Sequence, residues 1–62
     1  MEQGKREKFL KVYANLPMSL RQEIILTIDD KPITWDVAFF EIRNDTPLSK
    51  IILDKLENLQ II

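Results

Sequence analysis

Residues 19–34 read Ser19-Leu20-Arg21-Gln22-Glu23-Ile24-Ile25-Leu26-Thr27-Ile28-Asp29-Asp30-Lys31-Pro32-Ile33-Thr34, and the class of the fold turns on them. Leu20, Ile24 and Ile28 recur at every fourth position with Ile25 beside them, which predicts an amphipathic helix. Ser19 and Gln22 have the spacing of a capping box, in which the serine oxygen accepts a backbone N–H of the first turn. Arg21 and Glu23 then face water. Asp29-Asp30-Lys31-Pro32 reads as a tight turn. Strand signals are weak: Lys31–Thr34 is the best candidate and is too short to form a sheet alone.

The flanking segments repeat the helical pattern, with Pro17, Pro32 and Pro47 at the joints. Upstream, Phe9, Val12, Tyr13 and Leu16 make one stripe of a helix over about residues 5–16, which Pro17 ends. Downstream, Thr34 is a natural N-cap, with Asp36 placed to suit the helix dipole. Trp35, Ala38, Phe39 and Ile42 form that helix's buried stripe, widened by Val37 and Phe40, and Ile33 can staple onto Ala38. Arg43-Asn44-Asp45 closes it. Thr46 caps the last helix and Pro47 takes its first position, where a missing N–H costs nothing. Leu48, Ile52, Leu56 and Leu59 run along it, flanked by Ile51 and Leu53. The expectation is all-α: a compact bundle of about four short helices in one domain over residues 1–62.

Composition excludes several functions. The 62 residues contain no cysteine, no histidine and a single glycine. Disulfide scaffolds, Cys/His zinc sites, thiol chemistry, histidine acid–base catalysis and glycine-rich phosphate loops are all removed. The single glycine also argues against a turn-rich β fold. Asp29-Asp30 sits in a turn, where carboxylates act as turn formers, and the acids do not fit a calcium loop. The expectation is therefore no enzyme, no cofactor, no metal and no small-molecule substrate. Met1–Lys11 is too charged for a signal peptide, and no apolar run approaches the roughly 20 residues of a membrane span. A cytoplasmic protein without membrane contact is expected. The net charge of −1 selects no partner class.

Arg21–Ile25, Pro32-Ile33-Thr34-Trp35, Thr46-Pro47-Leu48-Ser49-Lys50 and Ile52–Ile62 together resemble the helical core of winged-helix and related helix-turn-helix domains. The resemblance spans about two thirds of the chain. It implies a turn at Asn44–Thr46, a recognition helix over Pro47–Leu59, and DNA binding by a dimeric transcriptional regulator. Two features depart from the family: Gln60 stands where a glycine precedes the wing, and the sequence given carries no second wing strand. Residues 34–62 also carry Arg43, Lys50 and Lys55 against five carboxylates, a net charge of −2 that suits phosphate poorly.

On this reading Ser49 and Lys50 enter the groove, with Thr46 beside them and Arg43 on phosphate, and Asp54 belongs to the solvated face. Lys5, Arg6 and Lys8 of the first helix add a basic arm, or simply a solvated face with local charge pairs. The last helix has more apolar residues than one stripe needs. Ile51, Leu53, Leu59, Ile61 and Ile62 are therefore candidates for a homodimer or partner interface. The alternative function is a helical protein–protein interaction module with no nucleic-acid contact. Trp35, Phe39 and Phe40 are expected in the core, with Phe40 or Trp35 the one to be exposed.

Overall fold

Residues 24–28 form a β-strand. The computed structural model describes residues 2–62, so Met1, where the signal-peptide reading begins, lies outside the described residues. The chain runs α1 (Glu2–Ala14), a 3₁₀ turn (Met18–Gln22), β1 (Ile24–Ile28), β2 (Lys31–Thr34), α2 (Trp35–Arg43) and α3 (Pro47–Asn58). Three α-helices and a two-stranded antiparallel sheet make a mixed α/β fold, which overturns the all-α bundle of four helices. The helix expected from Ser19 is a single 3₁₀ turn followed by a strand. Ser19 lies inside that turn, whose N-cap is Pro17 and whose start has no side-chain cap.

The misreading has a physical cause. A spacing of four is close to one turn of helix and is also two repeats of a strand. Four of the five residues of Ile24–Ile28 are β-branched, with side chains stiff about χ1 and suited to a pleated surface. Leu26 and Ile28 are buried while Thr27 between them is exposed, the alternation of a half-buried strand.

The hairpin turn needs no glycine. Asp29 and Asp30 take φ of 49° and 66°, the two left-handed positions of a type I′ turn, a conformation that aspartate tolerates better than most residues. The register pairs Ile28 with Lys31, Thr27 with Pro32 and Leu26 with Ile33, then slips by one residue at Ile25 before Ile24 meets Thr34. Residues flanking a two-residue loop exchange both hydrogen bonds, so the next pair, Thr27 and Pro32, exchanges none. The missing N–H of Pro32 thus falls on the outer edge of β2. At the base of the hairpin, Trp35 N–H donates to Glu23 C=O at 3.3 Å.

The two later helices start and stop as short-range chemistry dictates. Thr34 Oγ1 accepts Val37 N–H at 3.1 Å, and Thr46 Oγ1 accepts Ser49 N–H at 3.2 Å. Each helix ends in a Schellman motif. Asp45 (φ 54°) follows α2, with Asp45 N–H on Ile42 C=O and Thr46 N–H on Glu41 C=O. Gln60 (φ 60°) follows α3, with Gln60 N–H on Glu57 C=O and Ile61 N–H on Leu56 C=O.

One core joins the three α-helices and both strands: Phe9 from α1, Leu26 and Ile28 from β1, Ile33 from β2, Trp35, Ala38 and Ile42 from α2, and Ile52, Leu53 and Leu56 from α3. Among the described residues, Phe9 is the only core side chain from α1, with its ring 5.7 Å from Trp35 and 6.0 Å from Tyr13. Val12, Tyr13 and Leu16 complete its stripe as half-buried residues.

Two outcomes follow for stability. Gln60→Gly relieves a left-handed side chain while keeping the Schellman bonds, and should raise stability by about 0.5–1 kcal/mol in urea unfolding. A loss of that size would show that the Gln60 side chain holds the end of α3. Phe9→Ala should cost about 3–5 kcal/mol. A 62-residue domain has a total of only about 3–9 kcal/mol, so the loss is a third or more of it and circular dichroism should find a markedly lower melting temperature.

Candidate interaction surfaces

The α2–turn–α3 unit is built around Thr46. This residue is at once the last position of the Schellman motif of α2 and the N-cap of α3. Its Oγ1 also donates to the Glu41 carboxylate. Ser49 is buried, and its Oγ donates back to Thr46 C=O. Thr46 and Ser49 are therefore occupied in joining the two helices, and Ser49 is not presented to solvent, contrary to its expected place in a DNA groove. Arg43 and Lys50 are exposed on either side of the turn.

The basic arm is divided. Lys5 Nζ reaches Asp54 at 2.7 Å and Glu57 at 3.2 Å, so it clasps α1 to α3 and neutralises acids of the expected recognition helix. Hydrogen bonding to Asp54, and then to Glu57, raises the Lys5 pKa above its ordinary 10.5. Arg6 is half-buried and Lys8 is exposed.

A cluster around the one tyrosine lies outside the expected site residues. Tyr13 Oη donates to Asp36 at 2.7 Å. Phe39 stacks on its ring at 4.3 Å and 5° from parallel, and the Arg21 guanidinium carbon lies 4.3 Å from the same ring centre. Arg21 also donates to Tyr13 C=O at 3.4 Å, while its Nε is buried without a partner among the described residues. The cluster pins the 3₁₀ turn to the end of α1 and the start of α2. In the sequence the stripe positions of Tyr13 and Phe39 pointed to it, whereas Arg21, expected to face water, is half-buried against them.

Apolar surface is the larger feature. Phe40 is 61% exposed, and Val37, one turn before it, is also exposed on the outer face of α2. Trp35 is buried, so Phe40 is the exposed aromatic of that helix. Met18 and Leu20 of the 3₁₀ turn and Ile24 are exposed as well. Among the interface candidates, Ile51 and Leu59 are exposed, Ile61 and Ile62 are half-buried against the core, and Leu53 belongs to the core. Leu53 is therefore corrected from interface to interior: it is buried in the core with Ile52 and Leu56.

An open groove of about 330 Å³ runs between β1 and the end of α3, lined by Ile25, Leu26, Thr27, Lys55, Asn58 and Leu59. Consecutive strand residues point to opposite faces, so lining by all three of residues 25–27 places the groove along the edge of the strand. The run of β-branched residues at 24–28 was the sequence signal for this edge. Among the described residues, no group of three or more carboxylates is placed to hold a metal ion. Among the same residues, no helix is long and apolar enough to cross a membrane.

The Tyr13 phenol has its pKa raised above the ordinary 10.0, first by its hydrogen bond to Asp36 and then by burial. A raised folded-state value means this contribution to stability is complete below about pH 10 and is lost as pH rises through the raised value; Lys5 follows the same sign from 10.5 upward. Ultraviolet titration of the single tyrosine should give a midpoint above 10.0, and Asp36→Asn should bring it down. An unchanged midpoint in Asp36→Asn would remove the hydrogen bond as the cause.

No family model, no curated protein and no solved structure matches the chain.

Proposed function

We propose that the chain is a small cytoplasmic binding domain that acts without catalysis, by docking another polypeptide on apolar surface. The observation that carries this reading is the exposure of Phe40, Ile24, Leu59 and Met18, each at 60% or more, on a domain short of interior. The side chains that a nucleic-acid reading needs are dispersed or already engaged: Lys5 serves Asp54 and Glu57, and the hydroxyls of Thr46 and Ser49 serve the helix junction.

A second reading, a helix-turn-helix transcriptional regulator, has one specific observation in its favour. Two helices are joined by the three residues Asn44–Thr46, with a left-handed residue at Asp45, a turn of the length that such units use. Its phosphate contacts would fall to Arg6, Lys8, Arg43 and Lys50. Four such contacts predict a loss of about 150-fold in DNA affinity between about 50 and about 200 mM salt.

The two readings separate on salt and on substitution. Partners retained on the immobilised chain, identified and re-measured as purified pairs, should keep their affinity to within about threefold from about 50 to about 500 mM salt. Phe40→Asp or Leu59→Asp should weaken those pairs by about tenfold or more while leaving the circular dichroism spectrum unchanged. Tight binding to a DNA duplex that collapses with salt and with Lys50→Glu, but not with Phe40→Asp, would overturn the docking proposal in favour of the second reading.

A further inference from the structure

The two edges of the hairpin are not alike. On the outer edge of β2, Pro32 offers no N–H to a further strand. On the outer edge of β1, Thr27 stands in the non-hydrogen-bonded pair, so its N–H and C=O point away from β2. Nothing along Ile24–Ile28 protects that edge: it contains no proline and no charge, and only the irregularity at Ile25 interrupts it. The groove beside it is walled by Leu59 and Lys55 of α3. An edge of this kind calls for an extended segment that brings its own ladder of hydrogen bonds and apolar side chains.

We infer that the occupant is β1 of a second copy of this chain, paired antiparallel about Thr27 in a two-fold dimer with a four-stranded sheet. This rests on the docking reading above and names its partner. Three features select a second copy. First, Ile24-Ile25-Leu26-Thr27-Ile28 matches itself: Thr27 meets the partner's Thr27 in the hydrogen-bonded pair, and Leu26 lies opposite the partner's Ile28. Second, charges complement. Leu48 lies with Ile28 and Asp29 at one end of the hairpin, whereas Lys55 lies with Ile25–Thr27. Hence α3 runs antiparallel to β1, and pairing about Thr27 sets the partner's Asp29 opposite Ile25, in the stretch of the groove that Lys55 lines. The contact occurs twice by symmetry, and Lys55 has no ion pair within its own chain among the described residues. Third, the assembly closes. Pairing uses the open edge of each copy, and Pro32 seals both outer edges, so the product is a dimer and not a fibre.

Sedimentation of the whole chain from about 1 µM to about 1 mM tests this. The mass should rise from 7.3 kDa to twice that value. The Thr27 amide should exchange with solvent more slowly at high concentration, because it gains its hydrogen bond only in the dimer. Thr27→Lys puts two like charges at the two-fold axis and should raise the dissociation constant by about tenfold or more, with the circular dichroism spectrum unchanged. Lys55→Glu should weaken the dimer, and adding Asp29→Asn should restore part of the loss. A monomer throughout the range overturns the inference. So does a dimer whose Thr27 amide exchange is independent of concentration, or one indifferent to Thr27→Lys. If Phe40→Asp breaks such a dimer, docking on apolar surface survives and the β1 edge falls.

Discussion

Phe9 holds the amino-terminal helix on the molecule. Among the described residues of α1, Phe9 is the one side chain buried in the core, against Trp35, with Leu10, Val12 and Tyr13 packed at its margin. Burying a phenylalanine contributes about 1.5–3 kcal/mol, whereas exposed ion pairs such as those of Lys5 contribute little. The polar links at the two ends of α1 therefore set its orientation more than its affinity. Lys5 ties one end to Asp54 and Glu57, and Tyr13 with Arg21 ties the other to Asp36 and the 3₁₀ turn.

Economy of residues governs the connections. The chain has one glycine, in α1, yet among the described residues four lie in the left-handed region: Asp29, Asp30, Asp45 and Gln60. Each sits where a reversal or a helix stop requires it, and each accepts some strain. Thr46 terminates one helix and caps the next, so the turn between α2 and α3 is rigid and its polar groups are used internally. That internal use removes Thr46 and Ser49 from any role at the surface. Beside its exposed charges the surface carries apolar patches: the outer face of α2, the tip of the 3₁₀ turn and the border of α3 with β1.

The hairpin gives this surface its direction. Pro32 lies on one edge and Ile24–Ile28 on the other, so strand pairing is closed on one side and open on the other. Leu59 and Ile51, read in the sequence as surplus on the last helix, are exposed on α3, and Leu59 borders the open side. Leu53, counted with the same surplus, is interior, buried in the core with Ile52 and Leu56. The excess was legible as a number of residues; its division between surface and interior was not, since that depends on which flank another element covers.

The boundaries of α2 and α3 were legible in the residues themselves. Thr34, Thr46 and Pro47 act on backbone groups within a single turn, so a local pattern suffices to place them. The stripe of α1 and the lack of cysteine and histidine chemistry were equally plain. Residues 19–28 were not, because Leu20, Ile24 and Ile28 satisfy the helical and the extended period alike. Their state was decided by packing. Leu26, Ile28 and Ile33 form a sheet face because Phe9, Trp35, Ile42, Ile52 and Leu56, brought from both ends of the chain, provide an apolar core for it to bury against. A choice between two local conformations of similar propensity falls to the long-range burial that only one of them permits.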